Sequence, residues 1–322
     1  MTSSAKRQRT EDAPITRSEI WYQDGSIVLQ AQDTQFRVHF GVLSQQSTFF
    51  REMQGLPQPP DQPTVEGCPV VEMQDDVSDV MHLLTAVYDP TFLGQKAIPL
   101  PYIASLIKLG RKYDFRKLLD AAMERLEFEN PTTLSEYEAR LTKNTPHYSP
   151  TRIVPYPGII LDMLTVAREN NILTALPCAY YRALTMPLAS LFDGIPRGDG
   201  TVSSLAEAER RQCILSYQKL LGTQFRPGYS LAWVNTWAVE DSCAFPKQCN
   251  EVRNALRRYF SEQPKIYLLW NPLPTTVLCA VACVPCEKRT IDAMKEGRKK
   301  AWDELPSFFS LAPSWNELKN NL

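Results

Sequence analysis

Four cysteines in the second half of the chain have the type and spacing to do chemistry. Cys243 and Cys249 are separated by five residues, and Cys283-Val284-Pro285-Cys286 is a CxxC pair. Two intervening residues give the tight bite that structural zinc prefers. Four thiolates close a tetrahedron with no open position, so a metal held there would serve folding and not catalysis. The first pair is wider than the usual two to four intervening residues, and Cys213 and Cys279 compete for the same role. The plainer reading is that these cysteines are small buried hydrophobes in a reducing compartment.

His39, with Ser44 and Ser47 a turn or two away, is the other place where a nucleophile and a base come close in sequence. No carboxylate stands at a spacing that would obviously orient the ring, so a packing histidine is expected there, and His82 and His147 are no better placed. The chain also lacks a phosphate-cradling glycine loop, a GxSxG elbow and an HExxH pair. No enzyme is expected.

The elements that position these residues fall into two parts, an α+β first part and a mostly α-helical second. Residues 27–31 and 35–38 read as a hairpin around Gln32-Asp33-Thr34, with Phe36 and Val38 on one face. Val42, Leu43, Phe49, Phe50 and Met53 then recur at helical spacing. A third strand is expected at 70–73, and Asp75 or Asp76 should cap a helix whose face holds Val77, Val80, Met81, Leu84, Val87 and Tyr88. Pro101 starts a helix carrying Ile103, Leu106, Ile107 and Tyr113. A partner begun near Asp114 carries Leu118, Leu119, Ala122, Met123 and Leu126.

Phe36-Arg37-Val38-His39, Val42-Leu43, Ser47 and Phe49-Phe50 resemble the signature of the BTB/POZ domain, a small sheet packed with helical hairpins. Residues 20–25, 56–59 and 67–71, Lys112-Tyr113, and the C-terminal 302–306 and 315–318 are similar to BTB proteins of mushroom-forming fungi. The resemblance implies a BTB domain over 19–130 that acts by binding protein partners, with the matching histidine packing and hydrogen-bonding. Cullin adaptors of the family carry a hydrophobic-x-Glu motif after the Phe-Phe helix, and residues 54–64 show no such match. Swapped BTB dimers exchange a strand and helix ahead of the hairpin. The polar run before Glu19 offers no such helix, and Ser26 stands where the family usually has Asp, so self-association is expected to be weak.

Residues 1–18 are expected to be a disordered tail, within which Lys6-Arg7-Gln8-Arg9 is either a nuclear-import signal or a solvated charge run. The Pro-rich 56–63 reads as an exposed insertion, stiff or docking. Beyond 130 helical stripes take over to 322: one opened by Asn130-Pro131 with Leu134, Tyr137 and Leu141, one with Ile160, Met163, Leu164 and Ala167, and one opened by Pro177 with Tyr180, Tyr181 and Leu184. Residues 194–200 read as a flexible loop, and 204–207 as a capping box for a helix ending near Gly222. The helix after Cys286 shows Lys288, Arg289, Lys295, Glu296, Lys299 and Lys300 on a solvated mixed-charge face.

A net charge of −1 from 35 basic and 36 acidic residues supplies no field for a polyanion, so nucleic-acid binding is not expected. The longest apolar run, 277–284, is far short of the roughly 20 residues that span a bilayer. With eight cysteines and no secretory signal, an intracellular protein of cytoplasm or nucleus is expected. The composite expectation is a non-enzymatic protein-interaction adaptor. The alternative is a BTB-containing nuclear or transcription-associated regulator with a structural zinc site.

Overall fold

The computed structural model describes residues 14–57, 61–141, 148–236, 243–262, 265–269 and 282–320. The chain divides into two compact units, Met1–Arg125 and Leu126–Leu322. The division falls five residues before the end of the domain expected from sequence.

In the first unit β1 (Thr16–Trp21), β2 (Ile27–Ala31), β3 (Thr34–Val38), β4 (Thr64–Val65) and β5 (Cys68–Met73) form one sheet in the order β1-β3-β2-β5-β4. β2 and β3 are the antiparallel hairpin, in register from Ile27↔Val38 to Ala31↔Thr34, and Gln32 takes the left-handed conformation its tight turn requires, at φ 52. β2 also runs parallel to β5, so it is central and every residue of it is buried. Its one polar member is satisfied within the sheet, the Gln35 amide donating to Gln30 Oε1 at 2.8 Å.

β1 corrects the expected tail, because Thr16 and Arg17 already pair in parallel with β3. An edge strand held by main-chain bonds needs no apolar stripe, so hydrophobic pattern alone does not reveal it. Lys6 to Arg9, and Gln58 to Pro60 of the Pro-rich stretch, lie outside the described residues.

The hairpin leaves through His39 into α1 (Phe40–Gln46) and α2 (Thr48–Gln54). Ser47 makes the junction: its hydroxyl accepts the Phe50 N–H at 3.1 Å and donates to the Tyr113 carbonyl at 2.5 Å. Leu43 and Phe50 are buried, whereas Phe49 is 42% exposed and lays its ring edgewise on Phe50 and Tyr113. α3 (Val77–Tyr88) likewise buries Val80, Leu83 and Leu84, while Met81, assigned to that face by spacing, is exposed. Asp76 sits at its N-cap but makes no capping bond, its carboxylate accepting instead from Gln32 Nε2 at 3.2 Å. Asp75 turns away to take Lys112 Nζ at 2.7 Å and the Tyr113 hydroxyl at 2.5 Å. α4 (Leu100–Lys112) and α5 (Arg116–Glu129) complete the unit, brought close at Gly110, where a Cβ would stand 3.1 Å from Leu119 Cβ.

The second unit is helical: α6 (Leu134–Ala139), α7 (Ile159–Glu169), α8 (Leu176–Leu184), α9 (Leu188–Asp193), α10 (Glu207–Thr223), α11 (Trp233–Thr236), α12 (Pro246–Glu262), α13 (Val284–Asp303) and α14 (Leu305–Phe308). α6 starts later than Asn130-Pro131 predicts, because Thr133 supplies the cap by accepting the Glu136 N–H at 3.3 Å. The capping box expected at 204–207 does not form. Ala206 holds the N-cap position of α10 and Ser204 is exposed.

Residues 194–200 are not a free loop either. β6 (Ile195–Pro196) and β7 (Val202–Ser203) pair as a hairpin, tied to α7 by Arg197 Nη2 on Asp162 Oδ2 at 2.5 Å and Ser203 Oγ on the same oxygen at 2.9 Å. Gly158, at φ 89, lets α7 start beneath it; a Cβ there would meet Ser203 at 2.3 Å.

α13 is the long member, 20 residues, seated at Gly297, where a Cβ would come within 2.3 Å of the Ser230 main chain. Beyond it Trp302 and Trp315 stack at 5.4 Å, and the Trp315 indole N–H donates to the Trp302 carbonyl at 2.7 Å. No helix among the described residues is long and apolar enough to cross a membrane.

Candidate metal centre

α12 and α13 each bring a cysteine pair to one point through their N-terminal ends. Cys243 lies on the chain leading into α12 and Cys249 in its first turn, where the Cys249 N–H reaches Phe245 O at 3.0 Å. Cys283 is the N-cap of α13 and Cys286 lies in its first turn, behind Pro285. The four Sγ atoms all lie within 4.8 Å of one another. Cys243 Sγ stands 3.6 Å from Cys283 Sγ and 3.5 Å from Cys286 Sγ, and the Cys283 N–H donates to Cys249 Sγ at 3.3 Å.

A tetrahedral zinc with bonds of about 2.3 Å sets its sulfurs about 3.8 Å apart, close to the contacts of 3.5 and 3.6 Å and inside the 4.8 Å that contains all four. All four cysteines are free and buried. An iron–sulfur cluster distributes its thiolates over several irons and needs a wider cage, so the fit is to a single ion. The wide first spacing is accommodated because its five intervening residues make a two-residue lead-in and most of a helical turn, with Phe245 turned out to solvent.

The helix ends also tune the thiols. The backbone N–H of Cys286 points at the Cys283 sulfur and brings its thiol down to about 6, against the upward push of burial. Burial, with the Cys243 sulfur beside it, pushes Cys286 up, and burial raises Cys249. Without a metal, the Cys283 sulfur is therefore the more readily ionised, while Cys249 and Cys286 are biased toward the protonated thiol. A divalent cation reverses that bias by stabilising all four thiolates.

Around the sulfurs Leu231, Trp233, Val252, Leu256, Phe260 and Met294 form a single buried apolar cluster. Cys213, a competing ligand by sequence, is buried in α10 outside this group, its thiol pushed up to about 12 by burial and by Glu209. Cys279 lies outside the described residues.

At His39 the structure adds a partner that spacing hid: Asp24 Oδ1 stands 3.2 Å from Nε2. The His39 hydrogen bond holds the Asp24 carboxyl below its ordinary range. Nδ1 lies 3.2 Å from the Tyr88 hydroxyl, which also accepts the His39 backbone N–H at 2.8 Å. The serines are occupied elsewhere, Ser44 Oγ donating to the Phe40 carbonyl at 2.9 Å and Ser47 Oγ to Tyr113, so no hydroxyl is aligned on the ring. His82 Nδ1 bonds Ser105 Oγ at 2.9 Å, and His147 lies outside the described residues.

Sequence pattern missed a buried ionic group in the second unit. Glu129, 1% exposed, accepts the Tyr148 hydroxyl at 2.6 Å and the N–H groups of Thr151 and Arg152 at 2.8 and 2.6 Å. Arg182, 2% exposed, donates to the Glu129 carbonyl and lies 3.3 Å over the Tyr148 ring. Nothing in local periodicity marks a charged residue for the interior. No family model matches the chain, and no curated protein matches it.

Proposed function

We propose that the first unit is a BTB/POZ-type interaction module and that the protein is a non-enzymatic adaptor working through protein partners. One observation carries this reading. A hairpin leads through His39 into a helix pair, a parallel third strand and further helices, and the signature residues Phe36, Val38, Leu43, Ser47 and Phe50 all enter one core. Among the exposed apolar side chains described in this unit, which also include Ile15, Tyr22 and Leu56, Phe49 and Met81 are the two on helices, and we propose them as the partner contacts.

The test is affinity purification of the tagged full-length protein from its own cells, alongside Phe49→Glu, Met81→Glu and, on the second unit, Leu215→Glu, with melting curves verifying that each folds. A stoichiometric partner lost with the first two and kept with the third is expected. The reverse pattern would reject the module as the working surface. A cullin or a chromatin complex among the partners would choose between adaptor and transcription-associated regulator.

In the second unit we propose that the ion is zinc and its role structural. Four thiolates from two knuckles in an apolar shell leave no position for substrate. Elemental analysis of purified protein should give close to one zinc per chain, and metal-free protein with undiminished cooperative folding would refute it.

A further inference from the structure

The same four sulfurs concentrate reducing chemistry at the surface end of a helix. Cys283 and Cys286 share the first turn of α13, and the two residues between them are exposed, Val284 at 76%. Cys283, 7% exposed, and Cys243, 8% exposed, are the more open of the four side chains. Cys249, the deepest at 1% exposed, has its sulfur engaged by the Cys283 N–H. The four are thus unequal. One pair is on an outward-facing turn, and Cys249 of the other is fixed beneath it.

We propose that the centre is a peroxide-responsive switch, in which oxidation joins Cys283 to Cys286 in a disulfide and releases the metal. This rests on the zinc reading above. The Cys283 thiolate attacks one peroxide oxygen, the O–O bond breaks, and a sulfenic acid and a hydroxide form. The Cys286 thiolate then attacks that sulfur, the S–O bond breaks, and a second hydroxide leaves. Two protons convert the hydroxides to two waters. Each sulfur gives up one electron to the peroxide oxygens, and the zinc departs as the divalent ion it was. Cys243 and Cys249 alone cannot close a tetrahedral site.

Cys283–Cys286 is the favoured bridge because both sulfurs rise from one helical turn. Cys243 Sγ lies 3.6 Å from Cys283 Sγ and 3.5 Å from Cys286 Sγ, so a bridge from it is the competing product, but that bridge ties together two separate segments, whereas the CxxC pair closes within one stretch of chain.

The experiment uses the full-length protein with its zinc counted before oxidant is added. Stoichiometric hydrogen peroxide should release the zinc to a chromogenic chelator in step with a mass loss of two hydrogens, mapped by peptide analysis to Cys283–Cys286. Dithiothreitol with added zinc should reverse both, and Cys213→Ser should respond identically. Zinc retained while other cysteines oxidise, a bridge that includes Cys243, or sulfinic acid without a disulfide would each overturn the switch. Protein carrying no zinc at the outset would refute the zinc reading alone, and the disulfide would still be read by mass on that sample.

Discussion

The two units build their interiors from different materials. In the first, Ile27, Leu29, Phe36, Val38, Leu84 and Ile103 are fully buried. The first unit also buries charged groups, Asp75 on Lys112 and Arg125 on the Leu93 and Gln95 carbonyls, but at junctions between elements rather than among the apolar side chains of the sheet. In the second, Glu129, Arg182 and Arg298 are buried charges and four thiols share one apolar cluster. An apolar interior loses stability in proportion to the volume removed. An ionic or thiolate interior fails abruptly when one partner goes, because the remainder is left desolvated and unpaired.

Metal removal should give the largest separation between the units. If the cysteine cage holds zinc as proposed, chelation or Cys286→Ser should remove a binding free energy on the order of 10 kcal/mol from the second unit only. Calorimetry should then show the first unit melting as before while the second loses its cooperative transition. A single unaltered transition would break the contrast.

Next come two substitutions of similar size and unlike cause. Phe36→Ala should cost about 3–5 kcal/mol through the cavity it leaves, and Arg182→Ala about 3–5 kcal/mol by stripping a cation from the Glu129 carbonyl and the Tyr148 ring. Denaturant melts of the full-length protein check both. If Arg182→Ala costs under about 1 kcal/mol, the ionic interior is ornamental.

Gly297→Ala should cost roughly 1–3 kcal/mol through overpacking against Ser230, while Gly41→Ala, whose Cβ meets nothing within 4 Å, should be close to neutral by the same melts.

The smallest expected effect is titration of the first unit. Burial lowers His82 below the ordinary 6.5, partly opposed by Asp79, which itself accepts from Lys108; the ring bonds Ser105 Oγ through Nδ1 and packs on Tyr102. The unfolded chain takes up the proton first. This contribution to stability is therefore complete above about 6.5 and is lost as pH falls through the lower folded value. A His82→Gln variant should show a shallower loss over that window.

How much was legible in the sequence follows the same division. Period-two alternation placed Phe36 and Val38, and helical stripes placed α3, α4, α5, α7 and α8, because a core made of hydrophobic surface writes its pattern locally. Met81 and Phe49 were misread as core since spacing gives a face but not where it ends. β1 escaped because an edge strand is held by main-chain bonds, and Glu129 and Arg182 escaped because their partners are remote in sequence. The cysteine group was legible as types and spacing. What spacing could not supply was the convergence of two helix ends on one point.

Gly297 is a notch cut in a ruler. It lies eleven residues beyond Cys286 along α13, about 16 Å at 1.5 Å per residue, and touches none of the sulfurs. Yet a helix seated by a backbone-to-backbone notch cannot slide, and one residue of slippage turns every side chain on it by about 100°. The phase at which two of the four sulfurs arrive is therefore metered from the far end of the rod.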